Sequence, residues 1–256
     1  FIPASVQENR FLMENDPLYL DRLQQLDENT KRALLYGDWN LFAGRFFSEF
    51  STGVHVISPF TIPEDWKRYL VIDYGLDMLA ALWIAVDNHH HAYVYREVYQ
   101  SGLIISQAAE MMMQAEQGEK IYERLAPPDL FNRRQETGKS AVDIFLENGL
   151  YFTRSENNRV QGWFSLKEWL KPYIDNSGGK EIVTAKLRIF NTCRNLIRTL
   201  PEVQVDGKNP NDVASEPHEL THLPDALRGF AIMHRKAIDG GVRNSGEYEG
   251  FLHFGA

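Results

Sequence analysis

The chain has 256 residues, is 43% hydrophobic and 12% aromatic, and carries a formal net charge of −8 at pH 7. That length suits one large core domain with a smaller appendage, and no apolar run approaches the roughly 20 residues a membrane helix needs. The acidic total argues against a general nucleic-acid binder, since phosphate neutralisation asks for Lys and Arg.

A local basic face is left open, because Arg133, Arg134, Lys139, Arg154, Arg159 and Lys167 crowd the middle of the chain. The start FIPAS has neither an initiator Met nor the basic-then-apolar pattern of a signal peptide, so a fragment of a longer protein is expected. Cys193 is the single cysteine, which leaves no internal disulfide and no thiolate metal site, and it is expected to be a small buried residue.

From the N-terminus, residues 1–50 read as helical and loop-like, too short to make a core of their own. From Trp66 the pattern turns to strands: RYLVIDYG, MLAALWIAVD and HAYVYREVYQ, separated by breaks short enough for an antiparallel meander. His89, His90 and His91 fall at a hairpin tip and are read as exposed turn residues. Residues 104–117 have helical spacing, with Met111, Met112 and Met113 as core filling. A strand over 120–126 stops at Pro127-Pro128 and leaves Asp129 at its tip. Further elements are a helix at 139–148 closed by Gly149, a strand at 150–153, a helix at 164–173, a loop tip at 175–179, a strand at 186–190, a helix at 192–200 and an amphipathic helix at 223–238. The order predicts an α/β fold with a mixed sheet, three antiparallel strands beside strands reached through helical crossovers.

Sheets of this kind place function at strand ends, and acids stand there. Asp73 ends the first strand, Asp129 the fourth, and Asp225 opens the last helix. Hard divalent ions take a few carboxylates from protein and fill the remaining positions with water and substrate phosphate, so three acids on separate elements suit Mg²⁺ or Mn²⁺. Each acid alone also suits a turn or a helix cap; their combination points to a metal. Asp77, four residues after Asp73, and His222, three before Asp225, are further candidates.

The blocks VIDYG (71–75), LAPPDLFNRRQETGKSAVDIFLENGL (125–150), NNRVQGWFSLKEWL (157–170), LRIFNTCRNLIRTLP (187–201) and HLPDALRG (222–229) resemble, in that order, the nuclease domain of the large terminase subunit of tailed bacteriophages. The segment DENTKRALLYGDWNLFAGRFF (27–47) looks like the connector that follows the packaging ATPase in that family. The resemblance implies an RNase H-like fold and a two-metal-ion endonuclease that cuts concatemeric double-stranded viral DNA during genome packaging. It implies Asp73, Asp129 and Asp225 as catalytic metal ligands for two Mg²⁺ or Mn²⁺ ions. Many relatives have a second acid beside the last one, where this chain has Pro224 and Ala226, so His222 or Asp212 is a candidate for part of that role. Arg133, Arg134 and Lys139 are the expected DNA phosphate contacts.

The implied organisation is a connector at 1–50 after an ATPase domain that this chain lacks, a nuclease domain at 51–240 and a tail at 241–256. No GxxxxGK[ST] loop occurs, in keeping with that division. Expected partners are double-stranded DNA, the packaging ATPase domain, the portal protein and the small terminase subunit. The expected place of action is the host cytoplasm at the procapsid portal, with the isolated domain a monomer. Two other readings compete. An actin-like or sugar-kinase-like ATPase also starts with a strand and an Asp-x-Gly turn, as in Asp73-Tyr74-Gly75, but needs a second glycine-rich turn that is not found. A non-catalytic RNase H-like docking scaffold would tolerate loss of Asp73.

Overall fold

A computed structural model describes residues 44–234, apart from 76, 177, 178 and 180. The expected tail at 241–256 and nearly all of the expected connector lie outside the described residues. Among the described residues, no helix is long and apolar enough to cross a membrane.

The strands are β1 (Val56–Ile57), β2 (Lys67–Tyr74), β3 (Met78–Val86), β4 (Ala92–Ser101), β5 (Glu123–Ala126), β6 (Thr153–Arg154), β7 (Pro172–Asp175), β8 (Ile182–Ala185) and β9 (Leu187–Phe190). A seven-stranded sheet runs in the order β1-β9-β4-β3-β2-β5-β6, and β7 with β8 forms a separate hairpin. β2, β3 and β4 are the antiparallel meander, whereas β5 pairs parallel to β2, β6 to β5, and β9 to β4. This is the mixed sheet expected from the sequence, with the parallel strands reached through helices.

Those helices are α1 (Thr52–His55), α2 (Ile105–Glu116), α3 (Ala141–Glu147), α4 (Arg159–Leu170), α5 (Arg194–Thr199) and α6 (His222–Met233). They cover both faces of the sheet. β2 reads as a continuous apolar run because it is buried on both sides, and its residues divide by parity. Tyr69 and Val71 pack into one core with Trp163, Trp169 and Phe230 of α4 and α6. Leu70, Ile72 and Tyr74 pack into the other with Ala108 and Met112 of α2 and Phe145 of α3. Asp73 shares the parity of Tyr69 and Val71, so the strand hands its carboxylate to the α4–α6 side.

The structure corrects several expected elements. The helix expected at 164–173 is α4, which starts earlier: the Asn158 side chain accepts the Gln161 amide at 3.1 Å and caps it, and the helix continues through Gly162. It stops at Leu170 because Pro172 restricts the residue before it, and residues from 172 onward belong to β7. Of the three methionines, only Met112 is fully buried; Met113 is exposed. The expected strand at 150–153 shrinks to Thr153–Arg154, because Leu150 still bonds back to the Phe145 carbonyl. His91 is more than an exposed turn residue. Its ring bridges Asp87 Oδ2 and the Tyr173 hydroxyl, each at 3.0 Å, and so ties the β3–β4 turn to the β7–β8 hairpin.

Cys193 is fully buried beside α5, its thiol directed at the Val94 carbonyl 3.6 Å away. Burial, with the Glu97 charge adding to it, pushes the thiol up to about 12. The thiolate is the reactive species, so the folded chain is expected to resist a disulfide reagent at pH 8 and to take up one equivalent in denaturant. Rapid labelling of the native chain would contradict this placement.

Candidate metal centre

Asp73 lies next to the last residue of β2, and Oδ2 of its carboxylate is 2.8 Å from Nδ1 of His222, the first residue of α6. The His222 side chain is 5% exposed, against 28% for Asp73. Its other nitrogen, Nε2, is 3.2 Å from Oδ2 of Asp77, in the turn between β2 and β3. The same Asp77 oxygen is 3.1 Å from Nδ1 of His218, which opens the short 3₁₀ turn His218–Leu220 just before α6. Gly75 allows this turn to fold so tightly: a Cβ there would stand 2.5 Å from Asp77 Oδ1.

Burial by itself lowers the His222 pKa, but the hydrogen bond and charge of Asp73, joined by those of Asp77, outweigh it and hold the ring above its ordinary value. Asp77 moves the other way. The small cost of burial is outweighed by its own backbone amide and by the two histidines, so its carboxyl lies below the usual range.

Asp225 comes one helical turn after His222, on the same face of α6. Two guanidinium groups fix it. Arg159 Nη1 and Arg228 Nε each donate to Oδ1 at 2.9 Å, which leaves Oδ2 to other partners. Burial raises the Asp225 pKa; Arg228 and Arg159 oppose this, the Asp73 charge adds to it, and the net direction is upward. Asp73 and Asp225 therefore sense each other across the end of the sheet, the arrangement in which a bound cation lowers the energy most.

Arg159 is itself held from behind. Its Nε donates to Asp212 Oδ1 at 2.9 Å, and the same oxygen accepts Trp163 Nε1 at 2.8 Å and the Val213 amide at 2.7 Å. Asp212, with its carboxyl below the ordinary range despite burial, thus positions Arg159. Arg159 and Arg228 both lie over the Trp163 ring, 5.1 and 5.2 Å from its centroid. Gly162 leaves room for Arg228 to cross α4, since a Cβ there would meet Arg228 Cγ at 2.6 Å.

Asp129 stands apart from this network. It is exposed in the 3₁₀ turn Pro128–Phe131 that follows β5, and its carboxylate has no hydrogen-bond or ion-pair partner among the described residues. Its strand pairs parallel to β2 with Leu125 opposite Val71, so its turn leaves the sheet at the end where Asp73 lies. Residues 132–139 after it form an exposed loop. Arg134 accepts the Gly138 amide and donates its own to the Lys139 carbonyl, and its charge reaches the Tyr74 phenol, whose pKa burial raises and Arg134 lowers. Lys139 Nζ is paired with Glu147 at 2.5 Å.

The sequence thus named Asp73, Asp77, His222, Asp225 and Asp212, which the fold gathers at one end of the sheet, and Asp129, which it brings to the same end without contact. It missed His218, Arg159 and Arg228 as parts of the site. The spacing 222, 225, 228 was the available signal for Arg228, because every third residue of a helix shares a face.

No protein-family model matches the chain, and no curated protein matches it in sequence. Solved structures do match. A large terminase from a thermophilic bacteriophage, in complex with ATP-gamma-S, is 16% identical, with a TM-score of 0.58 over 89% of this chain and 54% of that one. A second structure of the same terminase gives 16% identity and 0.57 over 74% and 45%. The large terminase nuclease from thermophilic phage G20c is 10% identical, with a TM-score of 0.50 over 75% of this chain and 97% of that one. The chain thus spans about half the length of the first of these terminases, and its fold is that of a terminase nuclease, a mixed α/β sheet of the RNase H-like kind flanked by helices.

Proposed function

We propose that this chain is a metal-dependent endonuclease that cuts double-stranded viral DNA during genome packaging, with Asp73 and Asp225 as its central acids. The observation that carries this reading is the convergence of these two carboxylates at the end of β2, each held by cationic or imidazole partners, in a fold shared with terminase nucleases.

The donor set fits hard divalent ions. His222 occupies Oδ2 of Asp73 and the arginines occupy Oδ1 of Asp225, so each acid keeps one oxygen outside those bonds. Asp73, Asp129 and Asp225 would hold two Mg²⁺ or Mn²⁺ ions, with Asp77 and His222 at the margin. Bound there, such ions lower the pKa of an attacking water and stabilise charge developing on the phosphodiester. The chain's own groups orient that set. His222 fixes the rotamer of Asp73, Arg159 and Arg228 fix Asp225, and Asp212 with Trp163 fixes Arg159. Asp129, on its exposed turn, completes the set when metal and DNA arrive.

Arg133, Arg134 and Lys139 guide the DNA backbone toward Asp129, with Lys139 contributing less because Glu147 already pairs with it. Replacing Arg133 and Arg134 together by Ala is expected to weaken binding to all sequences alike and to flatten the salt dependence. The slope of log K against log[salt] should fall by about 1 for each phosphate that is no longer neutralised. Fluorescence anisotropy over a salt series checks this, and an unchanged slope would place the DNA elsewhere.

Residues 51–240 are assigned as the nuclease domain, 1–50 as a connector to a packaging ATPase domain, and 241–256 as a tail. The portal protein and small terminase subunit are the assigned partners, at the procapsid portal in the host cytoplasm. The direct test is conversion of supercoiled plasmid to nicked and linear DNA in Mn²⁺ or Mg²⁺ and its abolition by EDTA. Cutting that persists in EDTA would overturn the metal-dependent reading.

A further inference from the structure

Beside the Asp73–Asp225 pair, one cluster differs in its chemistry: Asp77, His218 and His222 offer two imidazoles and a carboxylate, with donor atoms all within 4.8 Å of one another. Asp77 Oδ2 faces both rings, 3.1 Å from His218 Nδ1 and 3.2 Å from His222 Nε2, and the ring centroids are 4.4 Å apart. Donor atoms bound at ~2.0–2.1 Å around a tetrahedral ion sit about 3.3 Å from one another, so these side chains are almost at ligand spacing.

The surroundings of His222 point the same way. A neutral imidazole carries one N–H and one lone pair. Here carboxylate oxygens flank both nitrogens, Asp73 at Nδ1 and Asp77 at Nε2. With the N–H given to Asp73, the Nε2 lone pair faces an oxygen lone pair, and a cation between them turns that repulsion into ligation. Asp73 then stands as the carboxylate that orients a ligating histidine from its far side, a recurrent support in metal centres. Asp77 and His218 are exposed, so an ion and its waters have free approach, whereas buried His222 supplies the fixed point.

We propose that Asp77, His218 and His222 form an imidazole-rich site for a borderline transition ion of the Zn²⁺ or Co²⁺ class, separate from the hard-ion site of Asp73 and Asp225. Imidazole suits such ions, and Mg²⁺ prefers oxygen in octahedral geometry and keeps its waters, so Mg²⁺ does not compete. The two sites touch through the Asp73–His222 bond.

The probe is Co²⁺, titrated into the wild-type chain in a large excess of Mg²⁺ and followed by its visible d–d absorption. A saturable band that survives the Mg²⁺ is expected, with affinity falling at least ~10-fold in His218→Ala and in Asp77→Ala. Both positions are exposed, and circular dichroism verifies that the variants fold. Displacement of the band by Mg²⁺, no band at all, or wild-type affinity in both variants would overturn the site. Plasmid cutting is not the readout, so this proposal and the nuclease reading fail independently.

Discussion

Asp73→Asn is expected to reduce metal-dependent plasmid cutting by at least ~10³-fold while leaving the chain folded. The amide is the same size as the carboxylate and can still accept a hydrogen bond from His222, and the side chain is 28% exposed, so no buried charge is orphaned. What disappears is the negative charge that faces Asp225 and holds a divalent ion. Several kcal/mol of charge stabilisation in the transition state rest on that ion, and each 1.36 kcal/mol is tenfold in rate. The variant also discriminates between readings. A docking scaffold would not respond to it, whereas a nuclease would lose cutting with no change in its melting temperature. Equal cutting by variant and wild type would place the chemistry at a different site.

The second large effect is on stability. Trp163→Ala is expected to cost about 3–5 kcal/mol, the range for removing a large buried aromatic. Trp163 is fully buried and sits edge-on to Phe46 and Phe47, at 6.0 and 5.8 Å between centroids, so the void is lined by rings that cannot collapse into it. The variant also removes the indole N–H from Asp212 and the ring beneath Arg159 and Arg228. At roughly 2–4 °C per kcal/mol for a domain of this size, the melting temperature should fall by some ~6–20 °C. Trp163→Phe keeps most of the packing and loses the hydrogen bond, so a drop of only about 1 kcal/mol is expected. Calorimetry on the pair separates packing from the polar link, and near-identical melting temperatures for Trp163→Ala and wild type would contradict the placement of this ring.

How far the sequence revealed this arrangement depended on whether the relevant contacts were local. β2 was legible because Leu70, Val71 and Ile72 run unbroken into Asp73 and then Gly75, a pattern that only a doubly covered strand with a tight exit produces. Alternation along the same strand implied that Asp73 and Val71 share a face. On α6, the three-residue spacing put His222 beside Asp225. The meander was legible from its short breaks.

Other features depend on distant pairings. Asp212 sits in a loop 53 residues from Arg159 in sequence, and only the folded chain shows that its carboxylate receives that guanidinium. His218 precedes α6 in a 3₁₀ turn with no periodic signal, and its partner Asp77 is 141 residues away. The β7–β8 hairpin was missed because Ile174, Ile182 and Val183 are exposed, so its strands lack the half-buried alternation by which strands are recognised. The start of α4 was misread because Gly162 lowers helix propensity, whereas the Asn158 cap and packing against α6 override it.

Anomalous diffraction from a crystal of this chain soaked in Mn²⁺ would locate the metal itself. An anomalous peak is expected within ligand distance of Asp73 and Asp225, and it should vanish in Asp73→Asn crystals. Mn²⁺ bound elsewhere on the chain, with no density beside that pair, would refute the assignment of these two acids.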